Sequence, residues 1–172
     1  MRVIVFCIVL MTSAAMSGVT RGDLTNTPPC AAGESYLRVS TAEHRLYLCE
    51  HSQVSASYPV TLGSAPGAKQ REGDRRTPRG RYRLSPARRS SKFGWFVGVG
   101  YPSAAQRPQG YTGSAVGVHG PPRQLARLGV SLPSWILALD WTDGCIAVST
   151  DTEMETIVHW LARTRARAIV IE

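Results

Sequence analysis

The chain of 172 residues lacks an apolar run long enough to span a bilayer comfortably as a helix. Its longest apolar run, Val3 to Met11, is too short to span a bilayer. It has no internal repeat and no low-complexity tract, which excludes solenoids and long flexible linkers. No helix-turn-helix, zinc-finger spacing or aromatic RNA-binding motif is present. Histidine is scarce, and His44, His51 and His159 have no partners at ligand spacing. The expectation is therefore no metal and no cofactor. Acidic residues are few as well, 12 against 20 Lys+Arg, for a net charge of +8. That balance favours an anionic partner. With no nucleic-acid motif, an anionic envelope polymer is at least as good a candidate as nucleic acid.

What is present begins with the N-terminus. Met1-Arg2 precedes the apolar run, and the small residues Thr12-Ser13-Ala14-Ala15 follow it. A basic start, an apolar stretch and an A-x-A-like region describe a secretory signal peptide. The reading is a signal over 1–18, a polar, proline-bearing linker over 19–33, and one domain over 34–172. Export across the inner membrane to the periplasm or cell wall follows, with no stable span after cleavage.

Cleavage leaves Cys30, Cys49 and Cys145. An odd cysteine in an oxidising compartment is a flag. The economical reading pairs Cys30 with Cys49 and frees Cys145; the alternative leaves the first two unpaired.

Alternating or β-branched segments predict strands at Tyr36–Ser40, Arg45–Cys49, Val54–Leu62, Arg81–Leu84, Trp95–Pro102 and Ala115–His119. Two more follow, after Cys145 and at Ala168–Ile171. Pro59 suggests an edge position or a bulge. Pro121-Pro122 opens a short helix toward Leu128. Leu132–Leu139 is apolar and reads as a core cover or a cleft wall. Thr150-x-x-Glu153 is a capping box; Met154, Ile157, Val158 and Leu161 form the apolar face of the helix it starts, and His159 lies off that face. The fold class is mainly β with short helices (α+β). Nine basic residues fall between Lys69 and Arg89, against Glu72 and Asp74. They read as a solvated loop face or as an attraction for an anionic polymer.

The chemistry concentrates in two places. His119 ends the strand Ala115–His119 and precedes Gly120. Cys145 follows Gly144 and precedes an apolar strand. An imidazole can draw the proton from sulfur so that the thiolate attacks a carbonyl. A glycine before the nucleophile permits a tight turn whose backbone N–H groups can face a developing oxyanion. A papain-like protease would place Cys early and His late, the reverse of this order.

His119-Gly120 followed by Thr142-Asp143-Gly144-Cys145-Ile146 resembles the signature of the L,D-transpeptidases (YkuD-type catalytic domain). Thr77-Pro78-Arg79-Gly80-Arg81-Tyr82 and Tyr101-Pro102 are similar to further segments of that family. Asp143 stands where a second histidine is usual, and Ala147 where Asn or Arg is usual. The branch with Asp-Trp-Thr-x-Gly-Cys-Ile-Ala matches better. The resemblance covers roughly Tyr36 to Ile171. It implies a β-sandwich-like catalytic domain and acyl transfer on peptidoglycan stem peptides. Cys145 would be the nucleophile and His119 the base, with Gly120 fixing the imidazole and the N–H groups of Gly144 and Cys145 forming the oxyanion hole. Tyr101, Trp141, Thr142 and Asp143 would contact substrate. A tetrapeptide stem would lose D-alanine and pass to an amine, giving a 3→3 cross-link. The alternatives are an L,D-carboxypeptidase or peptidoglycan hydrolase with the same site, or a non-catalytic wall-binding protein. The expected partners are stem peptides, with no nucleic acid, and the expected state is a monomer.

Overall fold

The computed structural model describes residues 30–124 and 139–172. The expected signal segment, the linker up to residue 29, nearly all of the helix toward Leu128 and the stretch 132–138 lie outside the described residues.

The described residues build one curled sheet of nine strands. In chain order these are β1 (Tyr36–Ser40), β2 (Arg45–Glu50), β3 (Gln53–Thr61), β4 (Gly80–Arg83), β5 (Arg88–Ser90), β6 (Gly94–Gly98), β7 (Gly117–His119), β8 (Ile146–Val148) and β9 (Ala168–Ile171). Their order across the sheet is β4-β9-β1-β2-β3-β8-β7-β6-β5. Two pairs, β1 with β9 and β7 with β8, are parallel. One long helix, α1 (Asp151–Thr164), follows β8 and packs against β6 and β8. Among the described residues no helix is long and apolar enough to cross a membrane.

The alternation read from the sequence places the core. Leu37 and Val39 of β1, Leu46 and Leu48 of β2, Val97 of β6, Val118 of β7, Ile146 and Val148 of β8, and Ile169 and Ile171 of β9 are all buried. Met154 and Ile157 close the core from α1, and Trp160, which the apolar-face reading left out, is buried with them. Val158 and Leu161 are only half-buried against it. The capping box forms in full: Glu153 N–H donates to Thr150 Oγ1 (3.1 Å), and the Glu153 carboxylate accepts from the N–H of Thr150 and of Ser149. Such a cap stabilises a helix by about 1 kcal/mol. It also fixes where α1 begins, directly behind the histidine strand.

Several elements differ from expectation. β5 lies inside the basic stretch, where no apolar alternation marks it. Ala115 and Val116 do not join β7, because Ala115 takes a left-handed backbone (φ 57°). β6 stops at Gly98, and Val99 instead bridges Leu84 of the neighbouring segment. β3 is interior rather than an edge strand, and its bulge falls at Ser55, the extra residue opposite Leu48/Cys49, rather than at Pro59. Pro59 is tolerated because β8 pairs with β3 only at Val60 and Thr61, just beyond it.

Cys30 and Cys49 are joined in a disulfide, with Cα atoms 5.3 Å apart. With Tyr36 they make a small second core that ties residue 30 to the end of β2.

Candidate active site

β7 and β8 run parallel, with Val118 opposite Ile146 and His119 opposite Ala147. Continuing that register by one residue sets Cys145 opposite Gly117. Side chains alternate along a strand, so Cys145 and His119 share one face, one strand spacing apart (~4.8 Å) and two residues along. Gly117 leaves the space between them without a side chain, and a Cβ there would collide with the Phe96 ring.

His119 is 1% exposed. Its ring stacks on Phe93 at 3.8 Å between centroids, lies parallel to Phe96 at 6.3 Å and meets Trp141 edge-on at 6.2 Å. Its Nδ1–H donates to the Gly120 carbonyl at 2.7 Å, so Nε2 is the nitrogen that can accept a proton. Burial lowers the pKa of His119 below 6.5, and the bond to Gly120 opposes that in part. Gly120 is itself pressed against α1: a Cβ there would lie 2.9 Å from Asp151 Oδ1.

The Cys145 thiol is half-buried and unbridged. Its Sγ donates to the Ala115 carbonyl at 3.5 Å. Burial raises its pKa and Asp143 adds to the rise, while the Gly117 backbone N–H and Lys69 work in the other direction. Both shifts favour uncharged forms. The resting pair is a neutral thiol beside a neutral imidazole, an arrangement suited to general-base activation.

The turn carrying Cys145 is braced from within. Thr142 Oγ1 donates to the Cys145 carbonyl (2.8 Å) and accepts from Gly144 N–H (3.1 Å). The Thr142 backbone bonds to Leu62 and Ser64 beyond the end of β3. Gly144 has φ 122°, and a Cβ there would collide with the Arg76 carbonyl. Of the two N–H groups expected to meet an oxyanion, that of Gly144 is bonded within the turn to Thr142 Oγ1.

The four expected substrate contacts also separate. Thr142 and Tyr101 are 3% and 5% exposed, and their contacts run inward. Tyr101 packs edge-on against Tyr82 at 5.9 Å. Burial pushes its hydroxyl up to about 12, and among the described residues that oxygen has no hydrogen-bond partner. Tyr101 is thus buried within the core rather than at the surface of the site. Trp141 is half-buried against His119, and Asp143 is exposed.

Three members of the basic stretch are engaged by neighbouring side chains. Arg88 lies over the Phe96 ring and Arg89 over the Trp95 ring. Lys69, counted there with the arginines, is 4% exposed and donates to Asp74 at 2.8 Å. The sequence reading also missed Phe93, whose ring covers His119. No local pattern marks either residue, because both contacts join segments distant in sequence.

The family model of the L,D-transpeptidase catalytic domain (YkuD) matches residues 34–171. No curated protein matches the chain by sequence. Among solved structures, the fold is similar to the helical cell shape determining protein Pgp2 from Campylobacter jejuni. The TM-score is 0.63 at 21% identity, covering 81% of this chain and 47% of that one. Bd1075 from Bdellovibrio bacteriovorus gives a TM-score of 0.53 at 21% identity, over 82% and 48%. An L,D-transpeptidase from Enterococcus faecium gives 0.51 at 9% identity, over 82% and 50%. This chain spans about half the length of each.

Proposed function

The chain belongs to the L,D-transpeptidase catalytic-domain family, and on that premise we propose that it is a cysteine acyltransferase acting on peptidoglycan tetrapeptide stems. The observation that carries the reading is the shared face of β7 and β8, which sets a thiol and an oriented imidazole side by side. His119 Nε2 takes the thiol proton as Cys145 attacks the carbonyl of the L-centre. The Cys145 N–H meets the oxyanion, and loss of one such donor typically raises a barrier by about 2.7–4 kcal/mol. The protonated imidazole then returns its proton to the departing D-alanine amine. An acceptor amine from a neighbouring stem resolves the thioester as a 3→3 cross-link. Water in its place gives a tripeptide, the carboxypeptidase outcome. Trp141 and Asp143, which border the nucleophile, are the side chains assigned to substrate contact.

Residues 34–172 form the catalytic unit on this reading, and it acts in the periplasm or cell wall after export. The Cys30–Cys49 bridge supports an oxidising compartment. Cys145→Ala and His119→Ala are each expected to abolish turnover of a disaccharide-tetrapeptide, measured by mass spectrometry, with an unchanged circular dichroism spectrum. Near wild-type turnover in either variant contradicts the mechanism.

A further inference from the structure

The nucleophile needs help to ionise, and the structure holds a charge that can give it. Of the 20 Lys+Arg residues only two, Lys69 and Lys92, are lysines. Lys92 is exposed, and Lys69 is buried. An ammonium is rarely buried without a role, because its desolvation is costly. Lys69 lies against the nucleophile turn: a Cβ on Gly144 would sit 3.6 Å from its Nζ. Its stem passes Gly113, where a Cβ would sit 3.2 Å from Cε. A compact ammonium on an unbranched stem fits this space, whereas a planar guanidinium is wider.

The partner of Lys69 does not neutralise it fully. The Asp74 carboxylate accepts from Lys69 and also from the backbone N–H groups of Gln70, Arg71 and Arg76. Its negative charge is spread over four donors. Around the thiol, the turn itself supplies Asp143, β7 supplies His119 and the Gly117 N–H, and the loop over 69–77 supplies Lys69 with Asp74 behind it. Lys69 is the ammonium of this set, bonded to Asp74. In a partly dry site such a charge acts strongly on a neighbouring anion.

We propose that Lys69 is a positioning residue whose ammonium, fixed on Asp74 against the Gly144 turn, stabilises the Cys145 thiolate as His119 removes its proton. This rests on the reading of Cys145 as the nucleophile. It adds a cation to a site whose other groups near the thiol are an imidazole, backbone groups and the Asp143 carboxylate.

The test reads the thiol without substrate. Alkylation of Cys145 in the full chain by iodoacetamide is followed against pH by peptide mass spectrometry, for wild type, Lys69→Met and Lys69→Arg. Lys69→Met is expected to raise the alkylation midpoint by about one pH unit, roughly tenfold less thiolate near neutrality. Lys69→Arg keeps the positive charge in a wider group and is expected to recover only part of that shift. Turnover by Lys69→Met should fall in kcat with the midpoint, and KM should change far less. An unchanged midpoint in folded Lys69→Met overturns the proposal. Should Lys69→Met not fold, the unaltered protein still decides the matter. With lysine Cε labelled, the Lys69 resonance is expected to move through the thiol titration while Lys92 stays still, and Cys145→Ala should remove the movement. A Lys69 resonance that ignores the thiol overturns the proposal. Activity surviving in Cys145→Ala overturns the nucleophile assignment instead, so the two failures are distinguishable.

Discussion

Each side chain of the pair has its charge state set by burial. His119 lies below its ordinary 6.5 and the Cys145 thiol above its ordinary 9.0. The base must be neutral to act, so a lowered histidine pKa extends activity toward acid. The acid limb of kcat/KM is therefore expected to have its midpoint below pH 6.5, measured as release of D-alanine across pH 4 to 9. A midpoint above 7 would contradict a lowered His119 pKa in the working site. The placement of His119 and Cys145 at strand ends was legible from the sequence, because a glycine stands beside each and a short apolar strand leads to or from it. Their environment was not legible. Phe93 reaches His119 from another segment, and Thr142 and Tyr101 turn inward because the neighbouring loop and strand cover them. A sequence gives the identity of such residues but not their direction.

At the scale of elements, the site depends on how the loop over 69–77 holds the nucleophile turn. Asp74 organises that loop by accepting four hydrogen bonds. Burial alone would raise its pKa, yet the donors of Lys69, Arg71, Gln70 and Arg76 hold its carboxyl well below the usual 3.8. A depressed carboxylate contributes stability that is fully present above its unfolded value and is lost as pH falls toward its folded one. Wild type is thus expected to be more stable than Asp74→Asn above about pH 4, with the difference narrowing below it. Thermal melts of both proteins from pH 2 to 6 measure this. The turn meets the loop at Gly144, whose backbone is left-handed and whose missing Cβ makes room for the Arg76 carbonyl. Gly144→Ala should strain the turn by about 1–3 kcal/mol and reduce kcat/KM roughly 10- to 100-fold. Steady-state kinetics on a defined stem would show it. The strands and the capped helix were legible at this scale, because period-two alternation and the Thr150–Glu153 box are local signals. β5 was hidden in an arginine-rich stretch. It forms because β6 offers an edge and aromatic faces on which Arg88 and Arg89 lie.

At the scale of the molecule, a parallel pair closes each half of the sheet: β9 returns beside β1, and β8 lies beside β7. Both depend on long connections, which is why strand order could not be read from spacing alone. The disulfide anchors residue 30 to β2 across a sequence separation of 19. Loop-closure entropy for a bridge of that size is worth about 3 kcal/mol. Cys30→Ser together with Cys49→Ser should therefore lower Tm by roughly 10 °C, read by calorimetry, while Cys145 keeps its reactivity. The central claim concerns the covalent step, and one measurement reaches it directly. The protein is incubated with a disaccharide-tetrapeptide, and both protein and products are weighed by mass spectrometry beside Cys145→Ala. The account predicts an acyl adduct on Cys145 short of one D-alanine, with 3→3 dimers formed from it. Stems that emerge intact, with no Cys145-dependent adduct or product, would contradict it.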